Sequence, residues 1–225
     1  MTGKKYQEIK SKIESDKEYS LSEAIDFIKE NKVAKFDESI EIHIHLGINP
    51  RKTEQQVRGM VVLPEGTIKT KRVAAFVTPA KEKEAKQAGA DLVGGKSLIE
   101  EIKSTGKCEF DVAVAEPEMM RELSLIAKIL GPKGIMPNPK TETVTVEIKK
   151  VVELLKKGKI NFKNDAGANI HQAIGKISWP KEKIKNNAEA FLDVLKKLRP
   201  GGVKGNFIKT IVLSSTMGPG LRIEL

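Results

Sequence analysis

Ile40, Ile42, Ile44 and Leu46 alternate with Glu41, His43 and His45, a period of two that predicts a strand with one buried and one wet face. Upstream, Ser20, Leu21, Ser22 and Glu23 read as a capping box. It opens a helix whose Ala24, Ile25, Phe27 and Ile28 share a face and which ends near Asn31. A second strand, Val57 to Leu63, is expected after the Asn49-Pro50 turn. From Lys71 the pattern becomes short, continuous apolar runs alternating with helical periods, as in strands buried on both faces. The expected strands are Val73 to Val77, Leu92 and Val93, Phe110 to Ala115, and Val144 to Val146. The expected helices run from Ala80 to Ala88, from Ser97 to Lys103, onward from Pro117, and through Leu155. After Gly158 the antiparallel pattern of the first third returns. Strands are expected at Ile160 to Lys163 and Ile170 to Lys176. A long helix follows Pro180 on the stripe Ile184, Ala188, Phe191, Leu192 and Leu195, and stops at Arg199, Pro200, Gly201 and Gly202. A last strand, Phe207 to Leu213, runs into the turn Ser214 to Gly220.

The two ends share a pattern that the middle lacks. The expected fold is therefore α+β with an inserted α/β domain. Residues 1–66 and 159–225 form a discontinuous antiparallel-sheet domain with helices on one face, and residues 67–158 form a small three-layer, mainly parallel Rossmann-like domain. Gly66 and Gly158 stand near the expected hinges, since glycine absorbs backbone change readily.

Charge then suggests a partner. The 225 residues carry a net charge of +10. Residues 159–225 hold 12 Lys and Arg against 5 Asp and Glu, whereas residues 1–66 hold 11 against 12. Such asymmetry favours a polyanion. The Ser214–Gly220 turn has no acid or base of its own. It offers hydroxyls, backbone N–H groups and one soft apolar side chain, Met217, which suit sugar and phosphate contacts better than bond-breaking. Phe36 lies between Lys35 and Asp37, either plugging the core at a strand start or facing a nucleic acid. Lys163, Asn164 and Asp165 form a turn with donors for phosphate or ribose, or else a solvated loop.

Other chemistries fit less well. Ala90 to Ser97 matches a relaxed phosphate-loop pattern, but Leu92 and Val93 are better used as a strand, which leaves too short a loop to wrap a phosphate. No GxGxxG loop occurs. His43 and His45 share a face, yet only His171 and Cys108 could complete a metal set, and zinc needs about three or four ligands; polar residues on a wet sheet face account for them. No Ser/His or Cys/His pair stands out as nucleophile and base. No apolar run approaches the roughly 20 residues that span a bilayer. The first residues lack the apolar core of a secretory signal, and Cys108 has no partner for an internal disulfide, so a cytoplasmic location is expected.

The run Leu130-Gly131-Pro132-Lys133-Gly134-Ile135-Met136-Pro137-Asn138-Pro139-Lys140 resembles the signature of the bacterial large-subunit ribosomal protein one family, found at the mobile side stalk. Lys35 to Ser39, Asn161 to Asp165, and Ser214 to Pro219 agree with that family in order and spacing. The resemblance spans essentially the whole chain. It implies a discontinuous domain that grips RNA and an inserted domain joined to it by two hinge strands. It further implies binding to a folded site on large-subunit rRNA, participation in the movement and release of exit-site tRNA, and repression of translation of its own operon through its mRNA. Phe36, Thr216, Met217 and Gly218 carry over as the RNA-contacting core. Lys35, Ser39, Lys163, Asn164, His171, Lys176, Lys204 and Ser214 carry over from neighbouring motif positions. Other ribosomal components are implied partners. A monomer when free is expected, with no catalytic residue, cofactor or metal. The Lys96-Ser97 pair departs from the family's pattern. The alternative reading is a nucleotide-binding enzyme using the middle α/β domain.

Overall fold

The structure is a computed structural model that describes residues 3–14, 17–68, 71–139 and 142–224. Lys140, the last residue of the long motif, lies outside the described residues. In chain order the first elements are α1 (Lys4–Ser11), α2 (Leu21–Glu30), β1 (Ser39–Leu46) and β2 (Arg58–Val62). Then come β3 (Val73–Phe76), α3 (Glu82–Gln87), β4 (Leu92–Gly94), α4 (Lys96–Thr105), β5 (Val112–Ala115), α5 (Met120–Leu123), α6 (Ala127–Leu130) and α7 (Ile148–Lys156). The last are β6 (Lys159–Lys163), β7 (Asn169–Lys176), α8 (Lys181–Lys197), β8 (Ile208–Ser215) and β9 (Leu221–Ile223). The chain divides into two compact units, Met1–Ile68 with Ile160–Leu225, and Lys69–Lys159.

In the first unit an antiparallel sheet runs in the order β7-β1-β8-β9. The alternation in β1 does what its period predicts: Ile40, Ile42, Ile44 and Leu46 are buried while the residues between them are half-buried. Helices α2 and α8 pack on the buried face, where Ile25, Ile28, Ile184, Ala188, Phe191 and Leu195 join the core. The capping box of α2 is complete, with Ser20 Oγ accepting the N–H of Glu23 and the Glu23 carboxylate accepting the N–H of Ser20. Strands β2 and β6 form a separate two-stranded ribbon, and Phe162 of β6 meets Phe191 edge-on at 5.0 Å. Asn187 is fully buried on α8. Its Oδ1 accepts the N–H of Glu65, and its Nδ2 donates to the carbonyls of Ile174 and Gly66.

The second unit is a three-stranded parallel sheet, β4-β3-β5, with one apolar cluster on each face. The strand expected at Val144 to Val146 is only a single bridge to Ala115. The ladder stops there because Pro117, the next residue after Ala115 to face that side, has no N–H and opens a 3₁₀ turn. The helix expected from Pro117 is a chain of short turns, 3₁₀ at Pro117–Met119 and Ser124–Ile126 alternating with α5 and α6. Three features were not anticipated. Helix α1 is mostly polar and buries Ile9; β9 has only three residues; and Ser214 and Ser215 belong to β8, so the turn proper begins at Thr216. Gly66 and Gly158 have φ of 81° and 112°, a region that side chains with a Cβ disfavour.

Candidate nucleic-acid interface

The first site element is a corner organised by Glu38, a carboxylate with no exposed surface. Its Oε1 accepts the N–H groups of Val33 (3.2 Å) and Ala34 (2.7 Å). Its Oε2 accepts the Ser215 hydroxyl (2.7 Å) and the N–H of Met217 (3.0 Å). One side chain thus ties the segment before Phe36 to the turn after β8. Burial pushes the Glu38 carboxyl up, but the N–H of Ala34, the Ser215 hydroxyl and the N–H groups of Met217 and Val33 outweigh it and hold the group below its ordinary range. Ser39 and Thr216 close the corner, the N–H of Ser39 donating to Thr216 Oγ1 at 3.0 Å and the N–H of Thr216 donating to the Ser39 carbonyl at 3.0 Å.

These bonds correct the expectation that the turn offers free donors. The Thr216 hydroxyl donates to the Ser39 carbonyl, and the N–H of Gly218 donates to the Ser215 carbonyl. What faces solvent is Phe36 at 54% exposure, Met217 at 53%, and Thr216 beside it. Gly218 is required by space: a Cβ there would lie 2.5 Å from Ser215 Oγ, which Glu38 holds. Lys35 is exposed close by, and Lys176 pairs with Asp37 at 3.5 Å.

The second site element is the wet face of the sheet. His43 pairs in register with His171 on β7 and Val212 on β8. Its Nδ1 lies 2.8 Å from His171 Nδ1, and its Nε2 lies 3.0 Å from Ser214 Oγ. His171 Nε2 in turn faces Asp165 at 3.5 Å. Burial, then the neighbouring His171, lowers the His43 pKa against the opposing pull of Glu41. His45 bonds Asn169 Oδ1 through Nδ1 at 2.8 Å. Among the described residues no cluster of three or more His, Cys, Asp or Glu is arranged to hold a metal ion.

The remaining expected residues lie at the other end of β1. The turn after β6 is fixed by Asp165, which accepts the N–H groups of Gly167 and Asn169, and the carbonyl of Ala168 accepts the N–H of Leu46. Lys163 is exposed there. Asn164 is corrected from a ligand donor to a structural residue: it is 5% exposed, its Oδ1 accepts the N–H of Val57, and its Nδ2 donates to the Asp165 carbonyl. Lys204 is exposed just before β8, whose first residues pair with Leu46. Seven residue steps along β1 separate the ends, roughly 23 Å. The structure thus gathers Lys35, Phe36, Ser39, Lys176, Ser214, Thr216, Met217 and Gly218 at one end. It sets His171 mid-sheet and leaves Lys163, Asn164 and Lys204 at the other. Glu38 and His43 escaped sequence reasoning as site residues because their partners are up to 179 residues away.

The Ala90 to Ser97 segment of the second unit has no room for a phosphate. Strand β4 ends at Gly94 and α4 begins at Lys96, leaving Gly95 alone between them. Lys96 pairs with Glu122 at 2.9 Å, and Lys81 pairs with the buried Glu116 at 2.8 Å.

The chain thus has two units, one of them carrying an open polar sheet face with an apolar-tipped corner. Comparison with known sequences gives the family. The profile of the ribosomal protein L1p/L10e family matches residues 28–219, and the chain belongs to this family. It is 50% identical to the large ribosomal subunit protein uL1 of Mycoplasma capricolum over 221 residues, 98% of this chain and 97% of that protein. It is 48% identical to the uL1 of Mesoplasma florum over 99% of this chain and 97% of that protein. With the uL1 of Thermosipho africanus the identity is 46% over 98% of this chain and 95% of that protein. The family consists of structural proteins rather than enzymes.

Proposed function

We propose that this chain is a structural constituent of the large ribosomal subunit that binds the stalk region of large-subunit rRNA with the unit built from its two ends. The middle unit is an inserted domain in this reading, its long glycine- and proline-rich motif shaping turns or secondary contacts. By the same family logic the protein takes part in exit-site tRNA movement and release, represses its own operon through a similar mRNA structure, and is monomeric and cytoplasmic when free. The observation that carries the reading is the pinned corner. Two large apolar side chains, Phe36 and Met217, stay half exposed because buried Glu38 fixes the backbone beneath them. A monomeric surface gains nothing from holding such groups in water.

A-form RNA hides its base edges in a deep major groove and displays 2′-hydroxyls across a shallow minor groove. An open sheet face about 23 Å long, edged by an aromatic ring and a thioether, suits packing on ribose and splayed bases. Hydrogen bonds come from Ser214, His171 and the sheet face, and lysines add attraction that salt weakens. The test is titration of a stalk rRNA fragment with wild type, Phe36→Ala and Met217→Ala against random duplex competitor. Each variant is expected to lose affinity about tenfold, with stability changed by less than about 0.5 kcal/mol. Unaltered affinity in both variants refutes the assignment. Replacing Lys35 by glutamine should lower the slope of log affinity against log salt by roughly 0.9.

A further inference from the structure

Ser214 sits at the end of a row of polar atoms that starts at Asp165. The Asp165 carboxylate is held ionised chiefly by the N–H of Asn169, and as an acceptor only it favours the proton of His171 on Nε2. His171 Nδ1 is then an acceptor, so His43 must donate through Nδ1 across the 2.8 Å contact. A neutral His43 with its proton on Nδ1 has a bare Nε2. The Ser214 hydroxyl, 3.0 Å away, therefore donates to it. We infer that Asp165, His171 and His43 set the polarity of Ser214, so that at neutral pH its oxygen faces the RNA as a hydrogen-bond acceptor and one proton added to the row reverses it. This rests on the RNA-binding reading above.

An acceptor at Ser214 selects a group that donates without accepting, such as a base amino group, and discriminates against phosphate, which only accepts. Reversal follows from proton bookkeeping. A proton added to the imidazole pair leaves His171 Nδ1 as the donor to His43 Nδ1. His43 then carries its own proton on Nε2 and donates to Ser214 Oγ. The Ser214 hydrogen is released to point outward. Other charged groups face the row. Glu41 and His45 share its face on β1, His45 being bonded to Asn169. Arg222 on β9 lies beyond Val212. Lys176 further along β7 pairs with Asp37, and Lys209 lies near the start of β8. The opposite face of the sheet is closed by α2 and α8.

Long-range ¹⁵N imidazole spectra of the free full-length protein test the row without RNA. At about pH 7.5 His43 is expected as the Nδ1–H tautomer and His171 as Nε2–H, and His171→Phe should shift His43 toward Nε2–H. A wild-type His43 carrying its neutral proton on Nε2 overturns the inference. The second arm measures affinity of wild type and Ser214→Ala for the stalk rRNA fragment. The wild-type advantage is expected to be about fivefold near pH 7.5 and to fall as the solution is acidified and the row takes up a proton. Taking the ratio removes the general gain in attraction as the protein becomes more positive. An advantage that stays constant on acidification overturns the inference. Binding no tighter than to random RNA sinks the functional reading instead, and the tautomer spectra still decide the row.

Discussion

Replacing Glu38 by glutamine keeps the side chain's volume and removes its charge, which isolates the four hydrogen bonds at the corner. In the best orientation the glutamine oxygen takes over from Oε1 and accepts the N–H groups of Val33 and Ala34, while its NH₂ donates to Ser215 Oγ. The N–H of Met217 then faces a donor and has lost the acceptor it has now at 3.0 Å. Leaving one donor unsatisfied costs about 1–3 kcal/mol, and exchanging a charged acceptor for a neutral one weakens the other bonds by a further fraction. The expected loss is about 2–4 kcal/mol at neutral pH, read as a fall in the urea midpoint at constant m value. Hydrogen exchange at the Met217 amide should accelerate more than at Ile42 in the sheet. The pH dependence follows in sign. The folded-state pKa of Glu38 lies below its unfolded value, so its contribution is complete above about pH 4.3 and is lost as pH falls through the folded value. The gap between wild type and Glu38→Gln should therefore narrow in acid. A cost under about 0.5 kcal/mol with unchanged Met217 exchange would refute the view that Glu38 builds this corner.

Gly218→Ala places a methyl against Ser215 Oγ and should destabilise by about 1–3 kcal/mol, with weaker binding of the rRNA fragment; a wild-type urea midpoint would contradict the close approach. Asn187→Leu strands the N–H of Glu65 and two carbonyls, and an expected loss of about 2–4 kcal/mol is checked by the same denaturation. The lowered pKa of His43 means that the unfolded chain binds more protons just below pH 6.5. Stability is present above that pH and is lost on acidification through the window beneath it. His43→Gln should flatten this part of the stability profile, and an unchanged slope would count against it.

The local pattern was legible where burial is periodic. Strand β1 shows its two faces in every other residue, and α2 announces its start through Ser20 and Glu23, because those signals act within one or two turns of chain. The inserted α/β pattern was legible for the same reason, although Val144 kept only one bridge because Pro117 ends the ladder beyond Ala115. Phe36 and Met217 could be named from motifs, but neither motif says whether such a side chain faces water.

What the order of residues determined alone was the main periodic strands and helices, the split between antiparallel and parallel regions, and the uneven charge. These depend on periodicity and composition, which are properties of neighbouring residues. Tertiary structure decided what each polar group is left to do. It spends the Thr216 hydroxyl on Ser39, buries Asn164 beneath Val57, and joins Ser214 through two imidazoles to Asp165. A hydrogen bond is directional and short, so its partner can be known only when segments distant in the chain have been brought within about 3 Å of each other.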